Sequence, residues 1–319
     1  MSTAFLFPGQ GSQHPGMLHS LWEHPAVVQT LDEASDELHR DVRELDSEDA
    51  LRSTVAVQSA LLTAGVAAAR ALVHEGIRPL AVAGLSVGAF GAAVICGVLS
   101  FRQALQLVTQ RAQLMEGRFP EGFGLSAIVG LSEQQVATLV NRYHSAENPV
   151  YLGNINAPRQ IVIAGSNAGM AKVLDQAVRN GAQKAERLKV PVPSHCPLLQ
   201  PVADSLRQIL SKLPLSQPKV VYVSNVRARA LRRAEDIAKD LSDNIAHGVR
   251  WHDAVTVLSE LGCTTFWEMP PGHTLTNLAR QAFPECECLS SESVTPDYIR
   301  HFAANDLDSS PADFPPSRS

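Results

Sequence analysis

A serine between two closely spaced glycines is the clearest chemical feature of this sequence. Gly84-Leu85-Ser86-Val87-Gly88 has the Gly-x-Ser-x-Gly spacing of a nucleophile elbow, a sharp turn between a strand and a helix that exposes a serine hydroxyl. Such a turn needs small residues at both glycine positions, because side chains there would collide. The sequence therefore predicts Ser86 as a nucleophile at the carboxyl end of a strand, with the amide of Val87 as an oxyanion donor.

A glycine-rich loop near the start of the chain is a candidate to complete this site. Pro8-Gly9-Gln10-Gly11-Ser12-Gln13 follows the first apolar run, and loops at the carboxyl ends of parallel strands form the ligand crevice of a doubly wound sheet. The amide of Gln10 is thus a candidate second oxyanion donor, with an ordinary glycine-rich turn as the alternative. The loop lacks the lysine and the Gly-x-Gly-x-x-Gly spacing of nucleotide-binding loops.

An arginine on the apolar face of a predicted helix is the candidate anion-binding group. The helix begins at Ser100, and its apolar residues recur every three or four positions, at 101, 104, 105, 108, 112 and 115. Arg111 lies on that same face. A guanidinium in a cleft would take a carboxylate in a bidentate pair, whereas an arginine at the edge of the face would extend to water.

The serine also needs a base, and the sequence holds 11 histidines. His195 is the preferred candidate because it lies among prolines, in Pro191-Val192-Pro193-Ser194-His195-Cys196-Pro197, in a stiff loop before a predicted helix. His247, His252 and His273 are its rivals. No Asp or Glu stands out as the third member of a catalytic triad, and a backbone carbonyl could orient the imidazole instead.

The elements that must position these residues predict an α/β fold. Apolar strands at 4–7 and 80–83 alternate with helical segments such as 58–73, as in a covered, doubly wound parallel sheet. From residue 123 the predicted order is β-α-β-β-α-β, the split motif of ferredoxin-like folds. We therefore predict three parts: a discontinuous catalytic domain at 1–122 and 192–305, a small subdomain at 123–191, and a disordered tail at 306–319.

After the small subdomain, the predicted main domain resumes with alternating helices and strands. They lie at 197–213 (helix), 220–224 (strand), 251–261 (helix), 265–269 (strand) and from 274 (helix). This alternation is again typical of an α/β domain.

Composition bounds the kind of protein and its partners. With 319 residues, 45% of them hydrophobic and 18% charged, the chain can bury a core without disulfides or metals. A net charge of −5 argues against nucleic acid or an anionic membrane surface as a partner. The five cysteines form no Cys-x-x-Cys pair, so neither a zinc site nor a secreted disulfide framework is expected. We expect a cytoplasmic protein with no targeting segment.

One uncharged stretch has the length of a membrane-spanning helix. Residues 80–99 contain no charged side chain, but half of them are Gly, Ala or Ser. A buried strand that leads through the elbow into a buried helix is the better interpretation.

Seven ordered segments resemble the signatures of malonyl-CoA:acyl carrier protein transacylases. They are the loop at 7–13, the elbow around Ser86, and the segments 110–115, 154–165, 193–195, 249–251 and 268–272. Together they extend over about residues 3 to 282. Seven segments in the family's order are far more specific than any one of them.

The resemblance implies a hydrolase-like α/β domain with a ferredoxin-like insertion and a ping-pong reaction. Ser86, activated by His195, would take the malonyl group from malonyl-CoA, and Arg111 would hold its free carboxylate. The thiol of a phosphopantetheine-type arm on an acyl carrier protein would then take the group from the ester. Malonyl-CoA and CoA are substrate and product, and no bound cofactor or metal is implied. In the family a main-chain carbonyl orients the histidine, and Arg250 is assigned to that position here.

Some residues depart from the family pattern and favour a particular pathway. Leu85 stands where the family usually has His, Ala89-Phe90 where it often has Glu, and Ala246-His247-Gly248 where fatty-acid enzymes have an Asn-Pro pair. This elbow is more similar to the transacylase subunit of malonate decarboxylase, whose carrier subunit bears a dephospho-CoA-derived arm. We therefore prefer that assignment, with other decarboxylase subunits as possible partners. The alternatives are the fatty-acid transacylase, a serine thioesterase or esterase, and a non-catalytic scaffold subunit.

Overall fold

The computed structural model describes residues 2–119 and 121–308, apart from the side chains of 305–308. Its strands are β1 (Thr3–Phe7), β2 (Pro79–Gly84), β3 (Phe123–Val129), β4 (Val150–Ala157), β5 (Gln160–Ser166), β6 (Lys184–Arg187), β7 (Val221–Val223), β8 (Ala230–Leu231), β9 (Thr265–Glu268) and β10 (Glu287–Ser290). Its helices are α1 (Pro25–Leu38), α2 (Thr54–His74), α3 (Gly88–Ile95), α4 (Phe101–Arg118), α5 (Glu133–Tyr143), α6 (Asn167–Arg179), α7 (Gln200–Leu210), α8 (Ala234–Asp243), α9 (Trp251–Glu260), α10 (Thr274–Ala282) and α11 (Pro296–Asp308). Three short 3-10 turns lie at Val42–Asp46, Ala50–Arg52 and Pro197–Leu199.

A six-stranded sheet forms the centre of the main domain. Its order is β10-β9-β1-β2-β7-β8, and β8 is the antiparallel edge strand of an otherwise parallel sheet. Alternate residues of β1 point to opposite faces: Phe5 packs with α2, α3 and α4, and Leu6 packs with α9 and α10. Because helices cover both faces, the strands read as continuous apolar runs. The α/β prediction is confirmed.

The small subdomain is a separate antiparallel sheet with two helices on one face. Its order is β4-β5-β3-β6, which is the ferredoxin-like arrangement of a β-α-β-β-α-β chain. Helices α5 and α6 pack on it through an apolar cluster that includes Ile128, Ile163, Val136 and Met170. These elements span residues 123–187, inside the predicted range of 123–191.

The small subdomain is connected to the main domain by backbone hydrogen bonds. The amide of Ile155 in β4 donates to the carbonyl of Val249 at 2.8 Å, and the amide of Val249 donates to Gly153 at 2.8 Å. Next to this bridge, the Arg250 guanidinium lies 3.2 Å from a Glu133 carboxylate oxygen at the start of α5. The segment before α9 therefore fastens the small subdomain to the main domain.

Several elements differ from the sequence prediction. Helix α2 begins at Thr54 rather than 58, and α1, α8, α11, β8 and β10 were not predicted. Residues 306–308 belong to α11, so the predicted disordered tail begins too early, while residues 309–319 lie outside the described part of the chain. Helix α11 exists because its apolar side packs on the core through Ile299 and Phe302.

Within the part of the chain that the structure describes, one helix has the length and composition of a membrane span. It is α2, but 89% of its most apolar stretch is buried inside the protein, as in the core helix of an α/β domain. The stretch that raised the question in the sequence, residues 80–99, forms most of β2, the elbow and α3 as predicted.

Candidate active site

Ser86 lies on a tight turn between β2 and α3. Its φ of 56° is in the left-handed region, which residues other than glycine rarely occupy. A Cβ added at Gly84 would lie 2.1 Å from the backbone of Gly88, and one added at Gly88 would lie 2.2 Å from the carbonyl oxygen of Phe7. Only glycine fits at both positions, which confirms the predicted reason for the Gly-x-Ser-x-Gly spacing.

His195 lies next to this serine. Its Nε2 is 2.8 Å from Ser86 Oγ, and its Nδ1 is 2.6 Å from the carbonyl oxygen of Asn244. Because a carbonyl only accepts, Nδ1 carries the proton and Nε2 is free to accept one from the serine. Burial, followed by the positive charge of Arg111, lowers the pKa of His195 to about 4. The imidazole is therefore neutral near pH 7, as a base must be.

The carbonyl that orients His195 belongs to Asn244, and the assignment of Arg250 to this role was wrong. Asn244 ends α8 and its carbonyl reaches the imidazole, whereas the carbonyl of Arg250 accepts from the amide of Ala254 in the first turn of α9. The Arg250 side chain lies against Asp253 and the small subdomain. The family pattern pointed to the segment 249–251, whereas the orienting carbonyl lies six residues before Arg250, at Asn244.

The rival histidines lie elsewhere in the described part of the chain. His247 Nδ1 bonds to the carbonyl of Asp243, and His273 Nε2 lies 3.8 Å from Glu292. No contact between either ring, or that of His252, and Ser86 is found among the described residues. His195 is thus the histidine that the fold brings to the serine.

Arg111 is buried beside the serine rather than extended to water. Only 1% of the residue is exposed, and Nη2 donates to Ser86 Oγ at 3.2 Å. Nη1 donates to Gln58 Oε1 at 2.6 Å, and Nε has no partner among the described residues. No carboxylate in the described chain pairs with this guanidinium. Burial alone lowers its pKa to about 9, so it still carries a charge that favours an anionic ligand.

Gln58 is a site residue that the sequence did not reveal. It lies on α2, fully buried, with its Oε1 on Arg111 and its Nε2 directed at the sulfur of Met115 at 3.4 Å. Its amide therefore fixes the direction of the guanidinium without neutralising the charge. A buried glutamine in an apolar helix was the available signal, but nothing in the sequence connected it to Arg111.

The two candidate oxyanion amides lie on adjacent loops. Strands β1 and β2 pair so that Phe7 lies opposite Gly84, and a Cβ at Gly9 would lie 2.7 Å from the carbonyl oxygen of Leu85. The loop that contains Gln10 thus packs directly on the elbow that contains Val87. Within the described chain, neither amide donates a hydrogen bond to a protein group.

A cavity of about 500 Å³ leads to His195 from the junction of the two sheets. Its lining is mostly apolar and comes from α5, from β4 and from the loop 246–248, including Val140, Leu152 and Ala246. Such a cavity can take an extended, uncharged chain that ends beside His195.

The absence of a catalytic metal stays a prediction. Within the described residues, ligand atoms of His24, His74 and Glu75 lie within 4.8 Å of one another. This group lies before β2, at the end of the sheet opposite Ser86. Nδ1 of His24 accepts from the amide of Ala26, which places the ring proton on the nitrogen that faces Glu75. A metal bound at this Nε2 would move the ring proton to Nδ1. Nδ1 could then no longer accept from Ala26, and the N-terminal cap of α1 would be lost.

Known proteins that are similar to this chain are acyltransferases, which agrees with a serine nucleophile beside a histidine base. The family described as acyl transferase domain matches residues 4–310. The malonyl CoA-acyl carrier protein transacylase of Bacillus subtilis strain 168 is 35% identical over 284 residues, covering 87% of this chain and 89% of the relative. The protein of the same name from Escherichia coli K12 is 35% identical over 286 residues, covering 87% and 92%.

Solved structures extend the likeness to the fold. The acyl-carrier-protein S-malonyltransferase of Burkholderia pseudomallei 1710b superimposes with a TM-score of 0.89 at 36% identity, covering 95% of this chain and all of that one. A malonyl-transacylase solved in complex with a type II polyketide synthase acyl-carrier protein gives 0.88 at 35% identity, covering 96% and 100%. The chain therefore belongs to the acyl transferase domain family and is an acyltransferase.

Proposed function

We propose that the protein moves a malonyl group from malonyl-CoA to the thiol of an acyl carrier protein through an ester on Ser86. The observation that carries the proposal is the buried guanidinium of Arg111, which lies 3.2 Å from Ser86 Oγ without a carboxylate partner in the described chain. An acyl group on Ser86 that ends in a carboxylate would meet this cation. The malonyl transacylase names of the relatives support the same substrate.

In the first half-reaction, Ser86 Oγ would attack the thioester carbonyl of malonyl-CoA while its proton passes to Nε2 of His195. The amides of Gln10 and Val87 would hold the resulting oxyanion, and one such donor typically stabilises a transition state by about 3 kcal/mol. The C–S bond then breaks, and His195 returns the proton to the departing CoA thiolate. The malonyl group remains as an ester of Ser86.

In the second half-reaction, the thiol of the carrier's arm would replace CoA in the same cavity. His195 takes the thiol proton, the thiolate attacks the ester carbonyl, and the bond to Ser86 Oγ breaks as that oxygen regains the proton. Malonyl-CoA and CoA are substrate and product in this scheme, and no bound cofactor or metal takes part. The Asn244 carbonyl keeps the imidazole in one tautomer through both halves.

The relatives favour the fatty-acid type of enzyme over the malonate decarboxylase subunit preferred from the sequence. Three of the four proteins compared above are named malonyl CoA-acyl carrier protein transacylase or S-malonyltransferase, and the fourth is a malonyl-transacylase solved with a polyketide synthase carrier. The elbow residues that suggested a decarboxylase have packing roles: Leu85 contacts an apolar cluster, and Ala89 and Phe90 are in the core. We therefore propose the fatty-acid pathway, with its acyl carrier protein as the partner.

Intact-protein mass spectrometry tests this proposal. The protein is exposed briefly to malonyl-CoA or to acetyl-CoA and then mixed with a holo carrier protein from fatty-acid synthesis or from malonate decarboxylase. We expect a malonyl adduct that discharges to the fatty-acid carrier, and little acetyl adduct. Discharge to the decarboxylase carrier alone would overturn the pathway, loss of the adduct to water alone would indicate a thioesterase, and no adduct would contradict the transfer itself.

The pH dependence of Ser86 reactivity follows from the lowered pKa of His195. An imidazole with a pKa of about 4 stays neutral down to about pH 5, so the rate of Ser86 modification should be level from pH 8 to 5 and fall tenfold per unit below pH 4. In Arg111→Ala the fall should begin at higher pH, because a positive charge that disfavours imidazolium has been removed. Phenylmethylsulfonyl fluoride is uncharged and suits this measurement. Identical profiles for both proteins would contradict the charge effect.

Changing Gln58 to glutamate should weaken the binding of malonyl-CoA. The new carboxylate would form an ion pair with the Arg111 guanidinium, which Gln58 now orients without neutralising its charge. It would therefore compete with the carboxylate of the substrate. We expect the KM for malonyl-CoA to rise by about tenfold or more, the equivalent of about 1.4 kcal/mol. Gln113→Glu, an exposed position on α4, is the matched control and should leave the KM unchanged.

A further inference from the structure

The backbone of the nucleophile is held by a side chain from the neighbouring strand. The amide of Ser86 donates to Asn225 Oδ1 at 2.9 Å, and Asn225 Nδ2 donates to the carbonyl oxygen of Gly84. The orientation of this carboxamide is unambiguous, because the amide needs an acceptor and the carbonyl needs a donor. One side chain thus satisfies two backbone groups of the elbow, one on each side of Leu85.

The carboxamide takes the place of a peptide group in the sheet. Strands β2 and β7 pair in parallel up to Ala83 and Val223, and both strands end there or one residue later. Beyond that point the chain of β2 turns into the elbow and no longer presents its backbone as a strand. Asn225, two residues past β7, offers one donor and one acceptor, as a peptide would, and so continues the ladder to Ser86.

Asn225 is itself fixed from several sides. It is buried, its amide donates to Asp240 Oδ2 at 3.1 Å, and its carbonyl accepts from the amide of Arg250 at 2.9 Å. The same Asp240 carboxylate accepts from Ser224 Oγ and from the hydroxyl of Tyr222. These contacts hold the backbone of Asn225 at two points, so its side chain extends to the elbow from a fixed position.

We propose that Asn225 is a positioning residue that holds Ser86 in its left-handed conformation and thereby aims both the serine hydroxyl and the amide of Val87. This rests on the proposed acyl transfer through Ser86. Backbone at a φ of 56° persists only where its surroundings determine it. Release of the two hydrogen bonds would let the Ser86 peptide rotate, and small misplacements of a nucleophile slow its reaction steeply.

The variant Asn225→Asp gives a reversible test. As a carboxylate, the new side chain still accepts from Ser86 but repels the carbonyl of Gly84. As a carboxylic acid, it has one donor and one acceptor again and reproduces the carboxamide. The variant and the unaltered protein share the ionisable groups that face this position or the site. These are Asp240, His195, Arg111 and Tyr222. His195, with a pKa of about 4, is neutral throughout the range from pH 8 to pH 5.5, so a change of the rate ratio within this range reports the titration of the new carboxyl group.

The first readout is the rate at which phenylmethylsulfonyl fluoride modifies Ser86, measured from the intact mass of the protein. The second is the pair of constants KM and kcat for malonyl transfer. At pH 8 we expect Asn225→Asp to react at least about fiftyfold more slowly, with kcat reduced and KM within about twofold. Between pH 8 and pH 5.5 the ratio should recover by about tenfold. A ratio that does not change with pH, or an effect confined to KM, would overturn the proposal.

Two further variants separate positioning from folding. Asn180→Asp is the matched control, because this exposed amide on the small subdomain also donates to a backbone carbonyl, that of Gln176. Its rate ratio should stay near one at every pH. Asn225→Ala removes both hydrogen bonds without adding charge, and its slow reaction should not recover at low pH. If the unaltered protein reacts with the sulfonyl fluoride but forms no malonyl adduct, the proposed substrate fails while the role of Asn225 remains open to the same test.

Discussion

Ser86→Ala is expected to remove the acyl-enzyme completely. The alanine has no nucleophilic oxygen, and His195 and Arg111 have no other hydroxyl within hydrogen-bond distance in the described chain. Transfer of malonyl from CoA to the carrier should fall by at least about 10³-fold, as when other covalent catalysts lose their nucleophile. The mass of the protein after incubation with malonyl-CoA should stay unchanged.

The control for this variant is Ser205→Ala, which removes a hydroxyl from α7 whose one partner among the described residues is the carbonyl of Pro201. It should acylate like the unaltered protein. Both variants should unfold at similar temperatures, because alanine fits the space of Ser86. A malonyl adduct on the Ser86→Ala protein would locate the nucleophile at another residue and contradict the scheme.

Arg111→Ala should reverse the preference for an acyl group that ends in a carboxylate. The unaltered site holds a desolvated cation beside Ser86, which a malonyl group neutralises and an acetyl group leaves unpaired. Losing one partner of a buried ion pair typically costs 3–5 kcal/mol, and 1.4 kcal/mol corresponds to a factor of ten. We expect kcat/KM for malonyl-CoA to fall by about 10²- to 4 × 10³-fold, while acetyl transfer stays level or rises.

Two other arginine variants make this measurement specific. Arg111→Lys keeps a positive charge but loses the planar fork, so it should recover only part of the malonyl activity. Arg118→Ala removes a charge from the exposed end of the same helix and should change neither substrate. If Arg111→Ala kept the preference for malonyl over acetyl, the carboxylate would have to bind elsewhere.

The residues that the sequence predicted have local signals. Ser86 is marked by glycines two positions away on each side, and the structure shows that neither glycine tolerates a side chain. Arg111 is marked by its place on an apolar helix face, where only apolar neighbours are otherwise expected. His195 is marked by the prolines around it. Each of these signals lies within a few residues of the group that it identifies.

The residues that the sequence did not predict act across long distances in the chain. Asn225 and Asn244 meet Ser86 from 139 and 158 residues away, and Gln58 meets Arg111 from 53 residues away. Which backbone carbonyl orients His195 depends on how α8 ends, and α8 itself was not predicted. Short elements such as β8, with two residues, carry too little pattern to be recognised alone.

The strand order has a consequence for the synthesis of the protein. Strand β1 lies between β2 and β9, and Thr3 pairs with Thr265. At about 5–20 residues per second, a ribosome needs roughly 13 to 52 seconds between these two residues. During that time one side of the first strand has no permanent neighbour, and an open strand edge is a template for association with other chains. The nascent protein is therefore exposed to misassembly at β1 until β9 has been made.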